Sequence, residues 1–447
     1  MYRFCIVIPV HVVVFGHGGG AITPTPEELA RGPQITSAVL FAETLENGEQ
    51  IVGARLEYPG EVAAIDIKFL STYSVPGFRI IGSFVNNDGV WNHAEVQGRY
   101  VFLRFATDIF PGPEANVTQY RLGAINIFWP LDVVIRQRGA IKLMDGSLVQ
   151  PSGIVAREKV NNITDACLDL AFVDSTGFKV KYRLFVPKGY EARKDELKNL
   201  PLVIFWHGGS SSGHDNELQM TTDPSAVEFI KPEAQAKHPC FVMVPQSVNT
   251  INPGDGVWAR NNGTKETPNF GPTESLSASI EALRDVMGTY NIDDRRVYGT
   301  GLSQGSRAVW TTSILNPDLF AAQLNVCSAD IYSDDEIRPL VGKPVWALVS
   351  VNDRPDRVAQ SDGVIDQAER LGAKVNRKVG NDGFNGFLRG YDANLLAKAQ
   401  WDEAKAQGAT MMITHFIAGT VLPDPHECWV FTFNNEVIRD WLFEQSK

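Results

Sequence analysis

The spacing of hydrophobic residues divides this chain into two unlike parts. In the first part apolar and polar residues alternate, as over residues 52–58, 65–69 and 101–105, and turn-forming residues separate the runs. Alternation at every second position predicts β-strands that bury one face. We therefore predict that residues 33–156 form an all-β domain of about seven short strands, of the immunoglobulin-like sandwich type.

From residue 157 to residue 447, short apolar runs alternate with longer segments of helical period. One helix is predicted to begin near Thr273 and another to follow Asn435. Alternating strands and helices predict an α/β fold with a doubly wound, mostly parallel sheet. The predicted strands are a hairpin (166–173 and 178–186) and the runs 202–206, 241–244, 296–300, 322–326, 345–350 and 411–416.

The length of the chain agrees with this division into two parts. Its charge and its cysteine spacing limit the classes of partner and of metal site that we expect. A chain of 447 residues exceeds what one hydrophobic core usually organises, so two domains are expected. The net charge of −11 argues against nucleic acid and anionic membranes as partners. Five cysteines occur without metal-binding spacing, so the sequence predicts neither a zinc site nor a disulfide framework.

Residues 1–32 form a leader that fits two interpretations. Arg3 precedes an apolar run over residues 4–15, which resembles a signal peptide and is too short to span a membrane as a helix. Pro9 and His11 interrupt this run. One interpretation is therefore a signal peptide on a secreted or periplasmic protein, and the other is a disordered or strand-forming leader on a cytoplasmic one.

The chemistry is indicated by residues 301–305, which read Gly-Leu-Ser-Gln-Gly. A predicted strand precedes them and a predicted helix follows them, as a nucleophile elbow requires. Glycines two residues before and after the serine let the strand and the helix cross closely. We predict that Ser303 is the nucleophile of a serine hydrolase.

A second match to the same pattern lies at residues 209–213 and also follows an apolar strand. The residues after Ser211 are polar and show no helical period, so this match lacks the helix of an elbow. His207 and two glycines precede it, and such a loop can turn backbone N–H groups toward a developing negative charge. We predict that this segment is an oxyanion loop.

A serine nucleophile needs a histidine base, and that histidine needs a carboxylate. In α/β-hydrolases both partners follow the serine in the chain, and only His415 and His426 do so here. His426 is favoured because it lies in a loop ahead of the last helix, whereas His415 lies inside an apolar strand. Asp353 and Asp356 both follow the strand 345–350; Asp353 is nearer its end and is preferred, with Asp356 as the alternative.

Several stretches together carry a family resemblance. Residues 157–447 resemble α/β-hydrolase esterases of the group labelled predicted peptidases, which are related to polyhydroxybutyrate-depolymerase-like and feruloyl-esterase-like enzymes. The β domain is similar in architecture to the immunoglobulin-like domain that precedes the hydrolase in some thermophile-type esterases. The matching stretches are 182–190, 202–209, 239–246, 292–305 and 426–429.

The resemblance implies a role for particular residues. The implied catalytic residues are the nucleophile Ser303, the base His426 and the orienting acid Asp353. The implied oxyanion donors are the backbone N–H groups of Gln304 and Gly209, or Ser210 in place of Gly209. Gln246 and Trp258 are candidates for the wall of the substrate pocket, with ordinary packing as the alternative.

The chain departs from the family pattern at three places. Ser350 and Val351 stand where the family usually has His-Gly, and Ser306 replaces a glycine after the elbow. The segment 375–409 is longer than the family norm. We interpret it as an insertion that is either a lid near the site or a surface excursion.

These observations lead to a serine carboxylesterase that acts on a small-molecule or polymer-linked ester through an acyl-enzyme, without metal or cofactor. A serine peptidase of the same fold is one alternative. A non-catalytic binding or assembly protein is the other. The β domain carries no cluster of titratable residues, so we expect it to serve in binding or in the formation of a homo-oligomer.

Overall fold

The computed structural model describes most of the chain and divides it into two compact units. The N-terminal leader, residues 1–32, lies outside the described residues. The described residues are 34–67, 70–107, 118–120, 126–128, 130–194, 199–248, 257–261 and 270–447. The first unit contains the segment ending at Leu40, Gly53–Ala106 and Pro130–Lys159, and the second contains Phe41–Val52, Thr107–Trp129 and Val160–Lys447.

Strands dominate the chain up to residue 160. Among the described strands, five form a sheet of order β12-β1-β2-β5-β4 and three form a sheet of order β11-β8-β3. Alternate residues Ala54, Leu56 and Tyr58 of β2 are fully buried, which confirms the strand predicted there. The strands are β1 (Ser37–Leu45), β2 (Gly48–Ala63), β3 (Tyr73–Ser74), β4 (Ile80–Asn86), β5 (Gln97–Phe105), β6 (Thr118–Tyr120), β7 (Asn126–Phe128), β8 (Val133–Gln137), β9 (Ile141–Lys142), β10 (Leu148–Val149), β11 (Ser152–Ala156) and β12 (Lys159–Val160).

The strand predicted over residues 65–69 is wrong over residues 65–67; residues 68 and 69 lie outside the described residues. Ala64–Ile67 is instead a short 3₁₀ helix. In such a helix residues two apart point in different directions, so Ile67 is buried while Ile65 is 61% exposed.

Among the described strands of the second unit, nine form one mixed sheet of order β13-β14-β16-β15-β19-β20-β21-β23-β22. β14 pairs antiparallel with β13 and β16, and the other neighbours pair parallel, as predicted. The strands are β13 (Leu168–Val173), β14 (Lys179–Phe185), β15 (Leu200–Trp206), β16 (Phe241–Gln246), β17 (Ala259–Asn261), β18 (Phe270–Pro272), β19 (Ile292–Leu302), β20 (Ala322–Val326), β21 (Val345–Ser350), β22 (Val375–Lys378) and β23 (Met411–Phe416).

Helices cover this sheet, and both of its faces are buried. In β15, Ile204 and Trp206 pack in one hydrophobic cluster, while Val203 and Phe205 pack in another. No described helix has the length and apolarity that a bilayer crossing requires. The helices are α1 (Tyr190–Arg193), α2 (Leu218–Thr221), α3 (Pro232–Lys237), α4 (Glu274–Thr289), α5 (Gln304–Leu315), α6 (Asp334–Ile337), α7 (Pro355–Arg370), α8 (Gly390–Gln407), α9 (Cys428–Phe433) and α10 (Glu436–Phe443).

The segment 375–409 is neither a lid nor a surface excursion. Its first residues form β22, which pairs parallel with β23 at the edge of the sheet. Its helix α8 buries Ala397, Trp401 and Ala404 in the same hydrophobic cluster as β23. The segment therefore adds one strand and one crossover helix to the core.

Candidate active site

Ser303 occupies the sharp turn between β19 and α5. Its backbone has φ 53° and ψ −118°, which is a strained conformation for a residue with a side chain. The Ser303 N–H donates to the carbonyl of Val326 at 2.9 Å, which ties the turn to the end of β20. The sequence therefore produces the elbow geometry that residues 301–305 predict.

The two glycines of the motif are required by close packing. A Cβ on Gly305 would lie 1.8 Å from the carbonyl oxygen of Trp206, at the end of β15. A Cβ on Gly301 would lie 2.6 Å from the backbone of Gly305. Because real Cβ atoms do not approach backbone so closely, neither position accepts a side chain without a shift of the elbow.

The side chains of Ser303, His426 and Asp353 form one hydrogen-bonded chain. His426 Nε2 lies 2.9 Å from Ser303 Oγ, and His426 Nδ1 lies 2.7 Å from Asp353 Oδ2. Asp353 follows β21, and His426 lies in a 3₁₀ turn ahead of α9. Because the carboxyl ends of the parallel strands β19 and β21 meet at one sheet edge, residues far apart in sequence converge there.

Burial and hydrogen bonding set the protonation states of Asp353 and His426. Burial opposes ionisation of Asp353, but hydrogen bonds from His426 and from the Arg354 N–H outweigh it and lower the pKa of the carboxyl. Burial likewise disfavours the charged form of His426. The Asp353 carboxylate, which accepts a hydrogen bond from the ring, opposes this, and the pKa of the imidazole is raised. Asp353 is thus ionised, and its carboxylate stabilises the imidazolium that forms when His426 accepts a proton.

The alternative acid and base lie elsewhere. Asp356 is half exposed and pairs with Arg354 at 2.8 Å and 3.2 Å. His415 lies within β23, and its Nε2 contacts Asp362 Oδ1 at 2.8 Å. The side chains of Asp356 and His415 are therefore paired with residues other than Ser303, His426 and Asp353.

The serine of the second motif is also placed apart from the histidine. Ser211 ends a short 3₁₀ turn, is 1% exposed, and contacts the hydroxyl of Thr222 at 2.6 Å. The hydroxyl of Ser211 therefore has its partner in Thr222 and not in a histidine.

A buried histidine anchors the start of this loop. His207 Nε2 accepts a hydrogen bond from the Ser247 N–H at 3.0 Å, so Nδ1 carries the proton and donates to the Gly208 carbonyl at 2.6 Å. Burial lowers the pKa of His207 to about 4. The imidazole is therefore neutral at physiological pH and acts as a fixed bridge between two backbone segments.

The predicted oxyanion donors lie on the segments that flank Ser303. A Cβ added to Gly208 would lie 3.7 Å from Ser303 Cβ, so the loop backbone passes directly beside the serine. Gly209 and Ser210 follow at the start of the 3₁₀ turn. Gln304 is the first residue of α5, and its N–H therefore has no acceptor within that helix. These N–H groups belong to helix starts, which favour negative charge.

Gln246 and Trp258, the candidates for the pocket wall, both contact the 207–213 loop. Both side chains are buried: Gln246 Nε2 donates to the Ser211 carbonyl at 3.2 Å, and Trp258 Nε1 donates to the His207 carbonyl at 2.9 Å. Their polar atoms thus bind the inner side of the 207–213 loop. A buried polar side chain needs a partner, and here the partners are loop carbonyls.

One residue near the site was missed by the sequence analysis. Arg357 Nη1 lies 3.3 Å from Asp353 Oδ1, on the carboxylate oxygen that does not face His426. The sequence did carry a signal, because an aspartate four residues before an arginine at a helix start is a spacing that forms ion pairs. Such spacings are frequent on surfaces, and only the burial of this pair distinguishes it.

The described residues contain no cluster of three His, Cys, Asp or Glu side chains suited to hold a metal ion. The four cysteines within the described residues, Cys167, Cys240, Cys327 and Cys428, are buried free thiols.

Comparison with known proteins supports the assignment of the fold. Neither a protein-family model nor a curated protein matches the chain. The structure is similar to that of a thermostable esterase, with 26% identity, a TM-score of 0.75, and coverage of 92% of this chain and all of the other.

Two other solved structures overlap with a smaller part of the chain. A feruloyl esterase module from Clostridium thermocellum is 12% identical, with a TM-score of 0.40 over 62% of this chain and 88% of that one. An S-formylglutathione hydrolase from Agrobacterium tumefaciens is 12% identical, with a TM-score of 0.38 over 63% of this chain and 96% of that one. The similarity to the thermostable esterase is consistent with an α/β-hydrolase esterase.

Proposed function

We propose that this protein is a serine carboxylesterase. The observation that carries the proposal is the unbroken hydrogen-bonded chain from Asp353 through His426 to Ser303, which ends on a serine at a strained elbow. A serine hydroxyl becomes an effective nucleophile when a neighbouring base accepts its proton and a carboxylate stabilises the charged base.

The proposed reaction has two acyl-transfer steps. Ser303 Oγ attacks the ester carbonyl while His426 Nε2 accepts its proton, and the backbone N–H groups of Gln304 and Gly209 bind the oxyanion. His426 then donates that proton to the leaving alcohol, which yields an acyl-Ser303. A water molecule, deprotonated by His426, attacks the acyl-enzyme and releases the carboxylic acid. Asp353 remains ionised throughout and stabilises the imidazolium.

The substrate proposed is a small-molecule or polymer-linked carboxylic ester. Ester hydrolysis needs protonation of an alcohol, whereas peptide hydrolysis needs protonation of an amine, which is a poorer leaving group. The similarity to a thermostable esterase over 92% of the chain favours the ester.

The experiment combines two measurements on the wild-type protein. Initial rates are measured on p-nitrophenyl esters of graded acyl length and on a peptide p-nitroanilide, and a fluorophosphonate label is located by peptide mapping. We expect ester turnover and labelling at Ser303. Faster turnover of the anilide would instead indicate a peptidase. Absence of both turnover and label would indicate a non-catalytic protein.

A matched pair of variants tests the base. His426→Ala is expected to lose about 10³-fold or more in kcat, since the serine loses its proton acceptor. His415→Ala is expected to retain kcat within about tenfold, because its side chain contacts Asp362 instead. Equal losses in the two variants would contradict the proposed base.

We also propose that residues 33–156 act as an immunoglobulin-like domain ahead of a hydrolase domain at 157–447, and that this domain mediates homo-oligomer formation. In support, Tyr58 of the five-stranded sheet donates to Gln137 of the three-stranded sheet at 2.7 Å, as in two sheets that face each other. Sedimentation of the full chain beside a chain that lacks residues 1–156 tests this role; identical oligomeric states would contradict it.

We propose that the protein is exported and that residues 1–32 are its signal peptide. The support is the charged and then apolar order of residues 3–15. Determination of the N-terminus of the protein produced in its native cell would distinguish cleavage from retention.

A further inference from the structure

The two carboxylate oxygens of Asp353, the acid of the proposed active site, accept hydrogen bonds from different groups. Asp353 Oδ2 accepts from His426 Nδ1 at 2.7 Å. Asp353 Oδ1 accepts from the backbone N–H of Arg354 at 2.6 Å and from Arg357 Nη1 at 3.3 Å. The carboxylate is 2% exposed and the Arg357 side chain 18% exposed. A guanidinium that is largely shielded from water therefore lies on the far side of the acid from the histidine.

The location of this cation is unusual for its helix. Arg357 belongs to the first turn of α7, where the positive end of the helix dipole disfavours a cation. Arg354, at the cap of the same helix, is 64% exposed and pairs with Asp356 on the solvent side. Arg357 instead points toward Asp353. The ion pair with Asp353 offsets both the dipole and the partial burial, so the helix start positions the guanidinium on the acid.

We propose that Arg357 is a positioning residue of the reaction, which holds the Asp353 carboxylate in orientation and weakens its attraction for a proton on His426. The proposal rests on the proposed function, because it assigns to Arg357 the tuning of the base that Ser303 requires. The consequence is that His426 stays neutral, and able to accept a proton, at lower pH than the pair with Asp353 alone would allow.

The electrostatic direction follows from the groups around the imidazole. The Asp353 carboxylate raises the pKa of His426, and the charge of Arg357 opposes that rise. Burial raises the pKa of the Cys327 thiol well above its usual range, so that thiol is uncharged at neutral pH. The titratable and charged groups near the ring are Asp353 after β21, Arg357 on α7, Cys327 after β20, and Asp424 and Glu427 on its own segment.

Glu427 requires separate consideration because burial raises its pKa to about 7, with the charges of Asp424 and Asp223 adding to the effect. It therefore titrates in the pH range of the experiment. Glu427 is unchanged in every variant used below, so comparison between variants removes its contribution.

The test is the pH dependence of kcat/KM on a p-nitrophenyl ester for four proteins. The acid limb of this profile is the fall of kcat/KM toward low pH, where His426 becomes protonated. Arg357→Gln removes the charge and is expected to shift this limb to higher pH by about 0.5–1 unit. Arg357→Lys keeps the charge and is expected to leave the limb near that of the wild type, with a lower plateau because the planar contact is lost. Arg370→Gln is the control, since it removes an exposed charge from the last turn of the same helix, where Arg370 pairs with Asp334; its limb should not move.

Two outcomes would overturn the proposal. One is an unmoved limb in Arg357→Gln, even with a lower plateau, since that result describes a merely structural residue. The other is an equal shift in Arg370→Gln, since that result would indicate a general effect of surface charge. Arg357→Met removes the same charge from a side chain of similar length and replaces the glutamine variant if the latter does not fold.

A second readout separates this proposal from the proposed function. The pKa of His426 can be followed by ¹⁵N-histidine NMR, with His426→Gln used to assign the resonance. Failure of the wild type to hydrolyse any ester would reject the proposed function alone. The NMR titration should still show a higher His426 pKa in Arg357→Gln, and an unchanged pKa would reject the role of Arg357.

Discussion

Two segments of the chain read Gly-x-Ser-x-Gly and have different surroundings. In the segment 301–305 the serine lies at a strained turn between β19 and α5, and its hydroxyl faces His426 at 2.9 Å. In the segment 209–213 the serine is buried in a 3₁₀ turn, and its hydroxyl faces Thr222 at 2.6 Å. The five-residue pattern alone therefore does not determine whether its serine can act as a nucleophile. A hydroxyl gains that ability where a strand and a helix cross closely and a base is within reach.

The largest expected difference between the two segments lies in catalysis. Ser303→Ala is expected to lower kcat for a p-nitrophenyl ester by about 10⁴-fold or more, because it removes the proposed nucleophile. Ser211→Ala is expected to keep kcat within about tenfold and to lose about 1 kcal/mol of stability with its hydroxyl contact. Steady-state kinetics and denaturant unfolding measure the two effects. Full activity of Ser303→Ala, or equal loss in both variants, would contradict the comparison.

The final glycines of the two segments provide a test of packing. Gly305→Ala is expected to destabilise the protein by about 3 kcal/mol, since its Cβ would meet the Trp206 carbonyl at 1.8 Å. In Gly213→Ala the near atoms are side-chain ends, Asp215 Oδ2 at 2.6 Å and Gln246 Nε2 at 3.2 Å, which can shift more easily than backbone, so a loss of about 1 kcal/mol is expected. Denaturant midpoints compare the two. Equal destabilisation would show that the backbone crossing is not specific to the elbow.

The smallest effect concerns the pH dependence of stability near the second segment. The pKa of His207 is lowered to about 4 in the folded protein, against an ordinary value of 6.5. Between these values the unfolded chain binds a proton that the folded protein does not. The stability from the neutral imidazole is therefore complete above pH 6.5 and is lost as pH falls, by about 2 kcal/mol between pH 7.5 and 5.

The matched variant for this effect is His207→Gln, which cannot titrate. Unfolding free energies of both proteins are measured from pH 7.5 to pH 5, so that changes from other groups cancel. The wild type should lose about 2 kcal/mol more than the variant over this range. Parallel curves would show that His207 is not held in its neutral form.

Much of the fold could be predicted from local sequence. The strands at residues 322–326, 345–350 and 411–416 have the predicted limits, because each is a short apolar run between polar residues. Residues 65–69 misled the prediction, since Ile65 and Ile67 alternate with Asp66 as in a strand. A single 3₁₀ turn produces the same spacing of apolar residues. Such short runs do not contain enough residues to separate the two structures.

The site was predictable in part. The chain order reduced the candidate bases to two histidines, and the position after the strand 345–350 reduced the candidate acids to two aspartates. Their distances to Ser303 depend on loops after β21 and β23, whose paths have no periodic signal. Gln246 and Trp258 were expected beside the substrate for a similar reason, because the sequence shows their polar atoms but not the loop carbonyls that they bind.

The sequence by itself determined the class of fold, the strand-turn-helix at Ser303 and the two short lists of partners, because these depend on neighbours within a few residues. Tertiary structure alone decided that His426 and Asp353 meet Ser303, that residues 375–409 extend the sheet, and that Arg357 lies on the acid. These contacts join side chains carried by different strands and helices. Their geometry is set by strand order and helix packing, which the chain acquires only when both faces of the sheet are buried.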